Sequence, residues 1–345
     1  MRRCFSYCVV FAKDYVFGRD ELVLHLVAQR YIESKANMKL EVIAKEYFEK
    51  LAMRSFFQDF WKDKDNDDKI ITCKMHDIVH DFAQFTTKNE SFEIDGEKIL
   101  EIDYQSAHYL HLKISKEMQS LESIYRAKNL RTLFLLSRER DSEFEMLLLN
   151  SFHHFKCLRT LILDCPIKKL PDAVENLIHL RCLHMFENVE IEELLETFCN
   201  LCNLQTLNIE QDSYLKKLPL GISKLINLRH LKFNEDCDWD NVVFPKGIGK
   251  LIGLRTLSRF NISDKDDREG CKLGELKILN QLRGTLTING MKNAANVDEA
   301  QNAQLKDKIH LRGLVLIFEN LELLKYEEGI SKMEKFLKEK NRIGE

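Results

Sequence analysis

The sequence is poor in residues that break secondary structure and has no long apolar run. Its 345 residues include only 4 prolines and 13 glycines, which argues against long flexible linkers. No stretch of 18 or more consecutive apolar residues occurs, so we expect no membrane span. The 52 lysines and arginines nearly balance the 55 aspartates and glutamates, for a net charge of −3. This balance argues against a chain that binds polyanions over its whole surface.

The ten cysteines lie mostly within apolar or repetitive segments. Free cysteine packs as a small apolar residue, and this distribution is typical of a reduced, cytoplasmic protein. The spacing Cys199-x-x-Cys202 comes nearest to a metal-binding motif. Because no second cysteine pair lies at zinc-finger distance, we expect both residues to be structural and predict no metal site.

Leucines recur about every two dozen residues in the larger, C-terminal part of the chain. Five segments of the form L-x-x-L-x-L, or a close variant, begin at Leu158, Leu180, Leu204, Leu228 and Leu254, at intervals of 22, 24, 24 and 26 residues. Such a period is typical of leucine-rich repeats. Three of the four prolines also share one position, on the expected outer return of each coil: Pro171, Pro219 and Pro245.

Residues 1–90 do not follow this repeat. Their pattern predicts helices over 21–33, 40–51 and 76–86, with two strands over 55–61 and 69–74 between the last two helices. The sequence therefore predicts an α+β winged-helix-like domain over 1–90 and a linker over 91–106. An α/β leucine-rich-repeat solenoid with a curved parallel sheet follows over 107–320, and the chain ends in a shortened helical tail over 321–345.

Three other kinds of site are conceivable in the N-terminal domain. The alternating Asp63, Asp65 and Asp67 suggest calcium, but the glycine and glutamate that an EF-hand loop requires are missing. His76 and His80 imitate a helical zinc-protease motif, in which Asp77 replaces the required glutamate. The 76–86 helix has no lysine or arginine and the 63–68 loop is acidic, so we predict no nucleic-acid binding. The chain is expected not to be an enzyme.

Several motifs resemble one family in a consistent order. The segments that carry the resemblance are Arg3-Cys4-Phe5-Ser6-Tyr7-Cys8, Ser55-Phe56-Phe57-Gln58-Asp59, Cys73-Lys74-Met75-His76-Asp77, Gly274-Glu275-Leu276 and Asn296-Val297-Asp298-Glu299-Ala300. They are similar to the second ARC subdomain and the repeats of plant coiled-coil-class nucleotide-binding leucine-rich-repeat (NB-ARC-LRR) disease resistance proteins. The chain would then be a C-terminal piece of such a receptor, because it has no phosphate loop of the form G-x-x-x-x-G-K-[ST].

The resemblance implies a role in plant defence. His76 would contact the β-phosphate of ADP in the intact receptor, with Asp77 beside it in the switch. The repeats would hold the nucleotide-binding domain of the same receptor in its ADP state until a pathogen effector or a guarded host protein is recognised. The alternative is a leucine-rich-repeat scaffold for protein interactions that has no nucleotide switch.

The chain alone is expected to use no cofactor. One charge-assisted hydrogen bond from His76 contributes about 1.5–3 kcal/mol, and even millimolar binding of ADP or ATP requires about 4 kcal/mol.

Basic residues recur between the leucines of the predicted strands, where each strand faces the concave side. Two interpretations stay open: a basic interaction face for an acidic partner or for the nucleotide-binding domain of the same receptor, or simply the arginines that are common on the surface of such repeats. The face would comprise Arg131, Arg159, Arg181, Arg229, His230, Lys232 and Arg255.

Overall fold

The computed structural model describes residues 1–33, 38–63, 69–95, 103–114, 122–138, 150–186, 189–209, 214–234, 242–294, 297–317 and 321–325. The chain divides into two units. The first unit comprises residues 1–165 and 179–183, and the second comprises residues 166–178 and 184–345. The loop at 64–68, which contains Asp65 and Asp67 of the calcium-like pattern, lies outside the described residues.

The first unit begins with a winged-helix arrangement. Its helices are α1 (Arg2–Tyr7), α2 (Arg19–Ala28), α3 (Leu40–Ala52) and α4 (Asp77–Thr86). Strands β1 (Val16–Gly18), β2 (Phe57–Asp63) and β3 (Lys69–Met75) form an antiparallel sheet in the order β1-β3-β2. The predicted helices and hairpin strands are therefore present, although α2 ends five residues before the predicted boundary.

Four parallel strands follow in the same unit. They are β4 (Ser91–Asp95), β5 (Tyr109–Ile114), β6 (Thr132–Ser137) and β7 (Thr160–Asp164). The prediction of a linker over 91–106 is wrong for β4, which pairs in register from Ser91 to Asp95 with β5. The alternation of Phe92 and Ile94 with Ser91, Glu93 and Asp95 suits a strand, but five residues without a repeat motif did not reveal it.

The second unit continues the repeats. Strand β8 (Cys182–Met185) begins in the first unit and ends in the second. Strands β9 (Thr206–Ile209), β10 (His230–Phe233) and β11 (Thr256–Leu257) pair in parallel, with Thr206, His230 and Thr256 in equivalent positions. The repeat leucines, among them Leu204, Leu207, Leu228 and Leu231, are fully buried, as the L-x-x-L-x-L pattern predicts.

Short 3₁₀ helices connect the strands where the prolines recur. Pro171 and Pro219 immediately precede the 3₁₀ helices Asp172–Asn176 and Leu220–Lys224. Proline suits these positions because they need no backbone donor for a strand ladder. The predicted non-strand return of each coil is therefore confirmed at these two prolines.

A further sheet ends the described part of the second unit. Strands β12 (Arg259–Asn261), β13 (Gly284–Asn289) and β14 (Leu311–Ile317) are parallel, and β15 (Leu321–Lys325) is antiparallel to β14. Helix α5 (Val297–Asn302) lies in the sequence between β13 and β14. The predicted helical tail is wrong for 321–325, which form β15, and residues 326–345 lie outside the described residues.

Within the described residues, no helix is both long enough and apolar enough to cross a membrane.

Candidate functional site

His76 lies at the start of helix α4 as its N-cap residue. Its carbonyl oxygen accepts hydrogen bonds from the amides of Val79 and His80, both at 2.9 Å, and its own amide donates to the Phe56 carbonyl at 3.0 Å. Its Nδ1 atom is buried and has no hydrogen-bond partner among the described residues. Asp77 is exposed in the first turn of the helix. This backbone setting fixes His76 at the positive end of the helix dipole.

His80 serves a structural role in the same helix. The residue is 5% exposed, and its Nε2 atom lies 3.1 Å from the Phe11 carbonyl oxygen, to which it donates. The hydrogen bond to the backbone therefore occupies one ring nitrogen of His80, whereas its Nδ1 atom is buried without a hydrogen-bond partner among the described residues. A hydrogen bond to the backbone thus gives His80 a structural role within the helix.

Helix α4 leaves an apolar face in contact with solvent. Ile78, Phe82 and Phe85 follow one another at helical spacing, and their exposed fractions are 73%, 59% and 70%. The sequence pattern marked these residues as apolar, and such a pattern ordinarily predicts a buried face. A contiguous exposed face of this kind is typical of a surface that contacts another domain or protein.

The end of helix α2 docks on the parallel strands of the first unit. The fully buried side chain of Gln29 donates from Nε2 to the Thr132 hydroxyl at 2.8 Å and to the Thr160 hydroxyl at 2.9 Å. Arg159 in turn donates from Nη1 to the Gln29 carbonyl oxygen at 2.7 Å. The hydroxyls of Tyr31 and Tyr109 also form a hydrogen bond. The winged-helix part therefore contacts the strand face on which the interaction surface was expected.

The three basic residues predicted for that face in the first unit are partly covered. Arg131 and Arg159 are half-buried and Arg181 is 9% exposed. Burial, together with the charge of Arg131, lowers the pKa of Arg159, and its bond to Gln29 keeps the guanidinium in place. Arg159 therefore contacts the protein itself through at least one of its nitrogens.

The predicted basic residues of the second unit lie on β10 and at the strand starts. Arg229, Lys232 and Arg255 are half-buried, and His230 is buried with Nδ1 at 3.0 Å from the Thr256 hydroxyl. The amide of Arg255 donates to the carbonyl of Arg229 at 2.7 Å, so these two arginines stand side by side. The structure thus brings the four residues of this unit together on neighbouring strands.

Sequence reasoning missed a second polar column beside them. His184 and Asn208 are both buried, and the Asn208 side-chain amide donates to His184 Nε2 at 2.9 Å. Ser258 accepts a hydrogen bond from the Phe233 amide at 2.8 Å. His184 and Asn208 lie between the last two apolar residues of their units, and Asn208 pairs with Lys232 on β10. The pattern alone could therefore have placed both residues on the same face as Lys232.

Cys199 and Cys202, whose spacing resembles a metal-binding motif, differ in burial. Cys199 is buried and Cys202 is exposed. Burial raises the pKa of Cys199 to about 12, which disfavours the thiolate that binds metals. The structural interpretation of Cys199 fits these observations.

Comparison with known proteins agrees with this arrangement. Residues 10–83 match the disease resistance protein winged helix domain, and residues 130–338 match the leucine-rich repeat region. Disease resistance protein RGA2 of Solanum bulbocastanum is 32% identical over 322 residues, which cover 93% of this chain and 29% of that protein. A candidate disease resistance protein of Arabidopsis thaliana is 34% identical over 323 residues, which cover 92% of this chain and 22% of the relative.

Among solved structures, a leucine-rich-repeat protein of Leptospira interrogans aligns with a TM-score of 0.46 at 20% identity, over 62% of this chain and 50% of its own. The chain spans less than a third of the length of the two plant relatives, at 29% and 22%.

Proposed function

The chain belongs to the plant disease resistance proteins that combine a winged-helix domain with leucine-rich repeats, and from this we propose that it is the recognition and autoinhibition part of an intracellular immune receptor. Its repeats would bind a pathogen effector or a guarded host protein and hold the receptor inactive until that partner arrives. The observation that carries the proposal is the docking of Gln29 on Thr132, Thr160 and Arg159.

The contact of Gln29 with the strands would link recognition by the repeats to the state of the winged-helix part. Gln29 follows helix α2 directly, and it is fully buried against strands β6 and β7. A displacement of the winged-helix part would break the hydrogen bonds of Gln29 to the two threonine hydroxyls and expose its buried side chain to water. The first repeats and the winged-helix part would therefore move together, so that a partner bound to the repeats could change the state of the switch.

The recognition surface is proposed to lie in the second unit. Arg229, His230, Lys232 and Arg255 are grouped on neighbouring strands there. A partner with acidic residues at its contact surface would complement this charge and would be steered toward it. We assign Arg159 to the internal contact with Gln29, because its Nη1 atom is already bonded there.

The nucleotide switch is proposed to require the longer receptor. The exposed face of Ile78, Phe82 and Phe85 would pack against the nucleotide-binding part, and this packing would bring His76 to the phosphates of ADP. The relatives are more than three times as long as the matched segment, which leaves ample chain for such a domain. The His76 Nδ1 atom, which has no hydrogen-bond partner among the described residues, would find an acceptor there.

A chimeric receptor tests the autoinhibitory role. This chain would replace the matching segment of the Solanum bulbocastanum relative, and the chimera would be expressed in leaves and scored for cell death. We expect Arg159→Glu to cause cell death without any pathogen factor, because the new carboxylate repels the Gln29 carbonyl oxygen and breaks the contact.

Lys128→Glu is the matched control, because Lys128 is an exposed basic residue between β5 and β6. Thermal melting of the purified chains would verify that both variants fold. If the folded Arg159→Glu chimera caused no more cell death than the control, the result would contradict autoinhibition through this contact and favour a generic interaction scaffold.

A further inference from the structure

Four successive turns of the second unit each present one exposed lysine and one exposed isoleucine. The isoleucines are 69%, 64%, 53% and 77% exposed in chain order. The pairs are Lys224 with Ile226, Lys250 with Ile252, Lys277 with Ile278, and Lys306 with Ile309. An exposed isoleucine is unremarkable by itself, but its recurrence in every one of these turns requires an explanation.

Backbone hydrogen bonds place these turns side by side. The amide of Arg255 donates to the carbonyl of Arg229 at 2.7 Å, and the amide of Arg283 donates to the carbonyl of Arg255 at 2.8 Å. Gly284 and Leu311 are then partners in the pairing of β13 with β14. Neighbouring coils stacked in this way repeat at about 5 Å. The exposed lysines and isoleucines therefore lie along one side of the stacked coils, which we call the Lys-Ile edge. Ile226, Ile252 and Ile309 directly follow the C-cap residue of their 3₁₀ helix, whereas Ile278 directly precedes it.

The Lys-Ile edge is strongly basic although the whole chain is slightly acidic. Its four turns expose Lys224, Lys250, Lys277 and Lys306 but only one acidic residue, Asp307. Lys224, Lys250 and Lys277 have no carboxylate within ion-pair distance among the described residues. Their charge is therefore available to an external anionic surface.

The residue types distinguish between two kinds of partner. Protein interfaces are enriched in aromatic residues and depleted of lysine at their centres, and the four segments contain no aromatic Phe, Tyr or Trp. Lysines beside aliphatic side chains instead suit a bilayer surface, where the ammonium groups meet lipid phosphates and the aliphatic groups enter the acyl boundary. We propose that the Lys-Ile edge binds an anionic lipid surface peripherally.

Vesicle sedimentation with the full chain tests the proposal, which does not depend on the proposed immune function. The wild-type chain is expected to pellet with vesicles of mixed phosphatidylcholine and phosphatidylserine and to remain in solution with phosphatidylcholine alone. The triple variant Lys224→Gln, Lys250→Gln, Lys277→Gln should weaken binding by roughly fivefold per lysine. Ile226→Ser with Ile252→Ser should weaken it as well, because insertion of the aliphatic groups is lost.

The control is Val243→Ser with Lys246→Gln, which changes an exposed aliphatic and an exposed basic residue outside these four turns. Circular dichroism would verify that each variant is folded. Failure of the wild-type chain to pellet with the anionic vesicles would overturn the proposal, as would equal losses in the control. Soluble polyglutamate provides a second test. If the chain bound it as tightly as the anionic vesicles, and if the isoleucine substitutions did not change that affinity, the proposal would be overturned in favour of an acidic protein partner.

Discussion

Lys308 occupies a position that belongs to leucine in the preceding coils. Leu225, Leu251 and Leu279 each end a 3₁₀ helix with ψ near 60°, at values of 56°, 60° and 56°. Lys308 does the same with ψ of 57°, and it is likewise fully buried. Its Nζ atom donates to Asn280 Oδ1 at 3.2 Å. Burial lowers the pKa of Lys308 to about 8. An amine therefore occupies a buried position that the repeat pattern fills with leucine in the preceding coils.

Replacement of Lys308 by methionine should therefore stabilise the protein. The folded state disfavours the charged amine, and the shift from 10.5 to about 8 corresponds to at most about 3 kcal/mol. Because the unfolded chain binds this proton more tightly, the stability of the wild type should rise between pH 8 and pH 10.5 and be unaffected by this group below pH 8.

Urea denaturation across that pH range checks the Lys308 prediction. The difference between wild type and Lys308→Met should narrow as the pH rises through the window. Lys306→Met changes an exposed lysine nearby and should leave the stability almost unchanged. A constant difference from pH 7 to pH 10.5 would contradict a depressed pKa for Lys308.

At the scale of single elements, Glu275 explains why glycine occupies both position 247 and position 249 in the preceding coil. Its carboxylate accepts hydrogen bonds from the amide of Gly247 at 2.9 Å and from the amide of Gly249 at 2.8 Å. Gly247 has φ of +106°, a conformation that favours glycine. A Cβ atom on Gly249 would lie 2.5 Å from the Glu275 carbonyl oxygen. The carboxylate thus caps the 3₁₀ helix of the neighbouring coil at close range.

Gly249→Ala should destabilise the chain by roughly 1–3 kcal/mol, because the methyl group meets a backbone oxygen that cannot move freely. Gly274→Ala is the matched control, since no atom lies within 4 Å of its hypothetical Cβ. That change should be neutral or slightly stabilising. Thermal denaturation of both variants measures the effect, and equal melting temperatures would contradict the close approach of Glu275.

The contact of Glu275 with Gly247 and Gly249 illustrates the difference between what the sequence predicts and what it does not. The Gly274-Glu275-Leu276 motif was identified by resemblance, but its role as a cap on Gly247 and Gly249 requires knowledge of which coils are neighbours. The leucine period predicted the coils because each coil repeats one local pattern. Gln29 carried no such signal, since its partners Thr132 and Thr160 are more than a hundred residues away in the chain.

Strands β4 and β15 illustrate a second limit. Both are five residues long, and neither contains the L-x-x-L-x-L pattern, so the sequence suggested a linker and a helical tail instead. Short strands at the edge of a sheet depend on a neighbouring strand for their hydrogen bonds. Helix α4 shows the reverse, because its apolar residues were recognised and yet Ile78, Phe82 and Phe85 are exposed.

At the scale of the whole molecule, the two units use the basic residues of their strands differently. The second unit groups basic residues on adjacent strands, whereas the first unit uses Arg159 for an internal contact. A solenoid adds such surfaces by repetition, since each coil contributes one residue to each column. His76 is different, because under the proposed function it would be one residue of a nucleotide site that also needs a phosphate loop, and the sequence contains no G-x-x-x-x-G-K-[ST] string.

The chain alone should therefore not bind ADP or ATP measurably. His76 can supply one charge-assisted hydrogen bond of about 1.5–3 kcal/mol, whereas a dissociation constant of even 1 mM needs about 4 kcal/mol. Isothermal titration of the purified chain with ADP and magnesium checks this, with the chimeric receptor described above as the positive control. A micromolar dissociation constant for the chain alone would show that the His76 region binds nucleotide without the rest of the receptor. If that affinity then disappeared in His76→Ala but not in His179→Ala, an exposed histidine elsewhere, the switch would have to be assigned to this chain by itself.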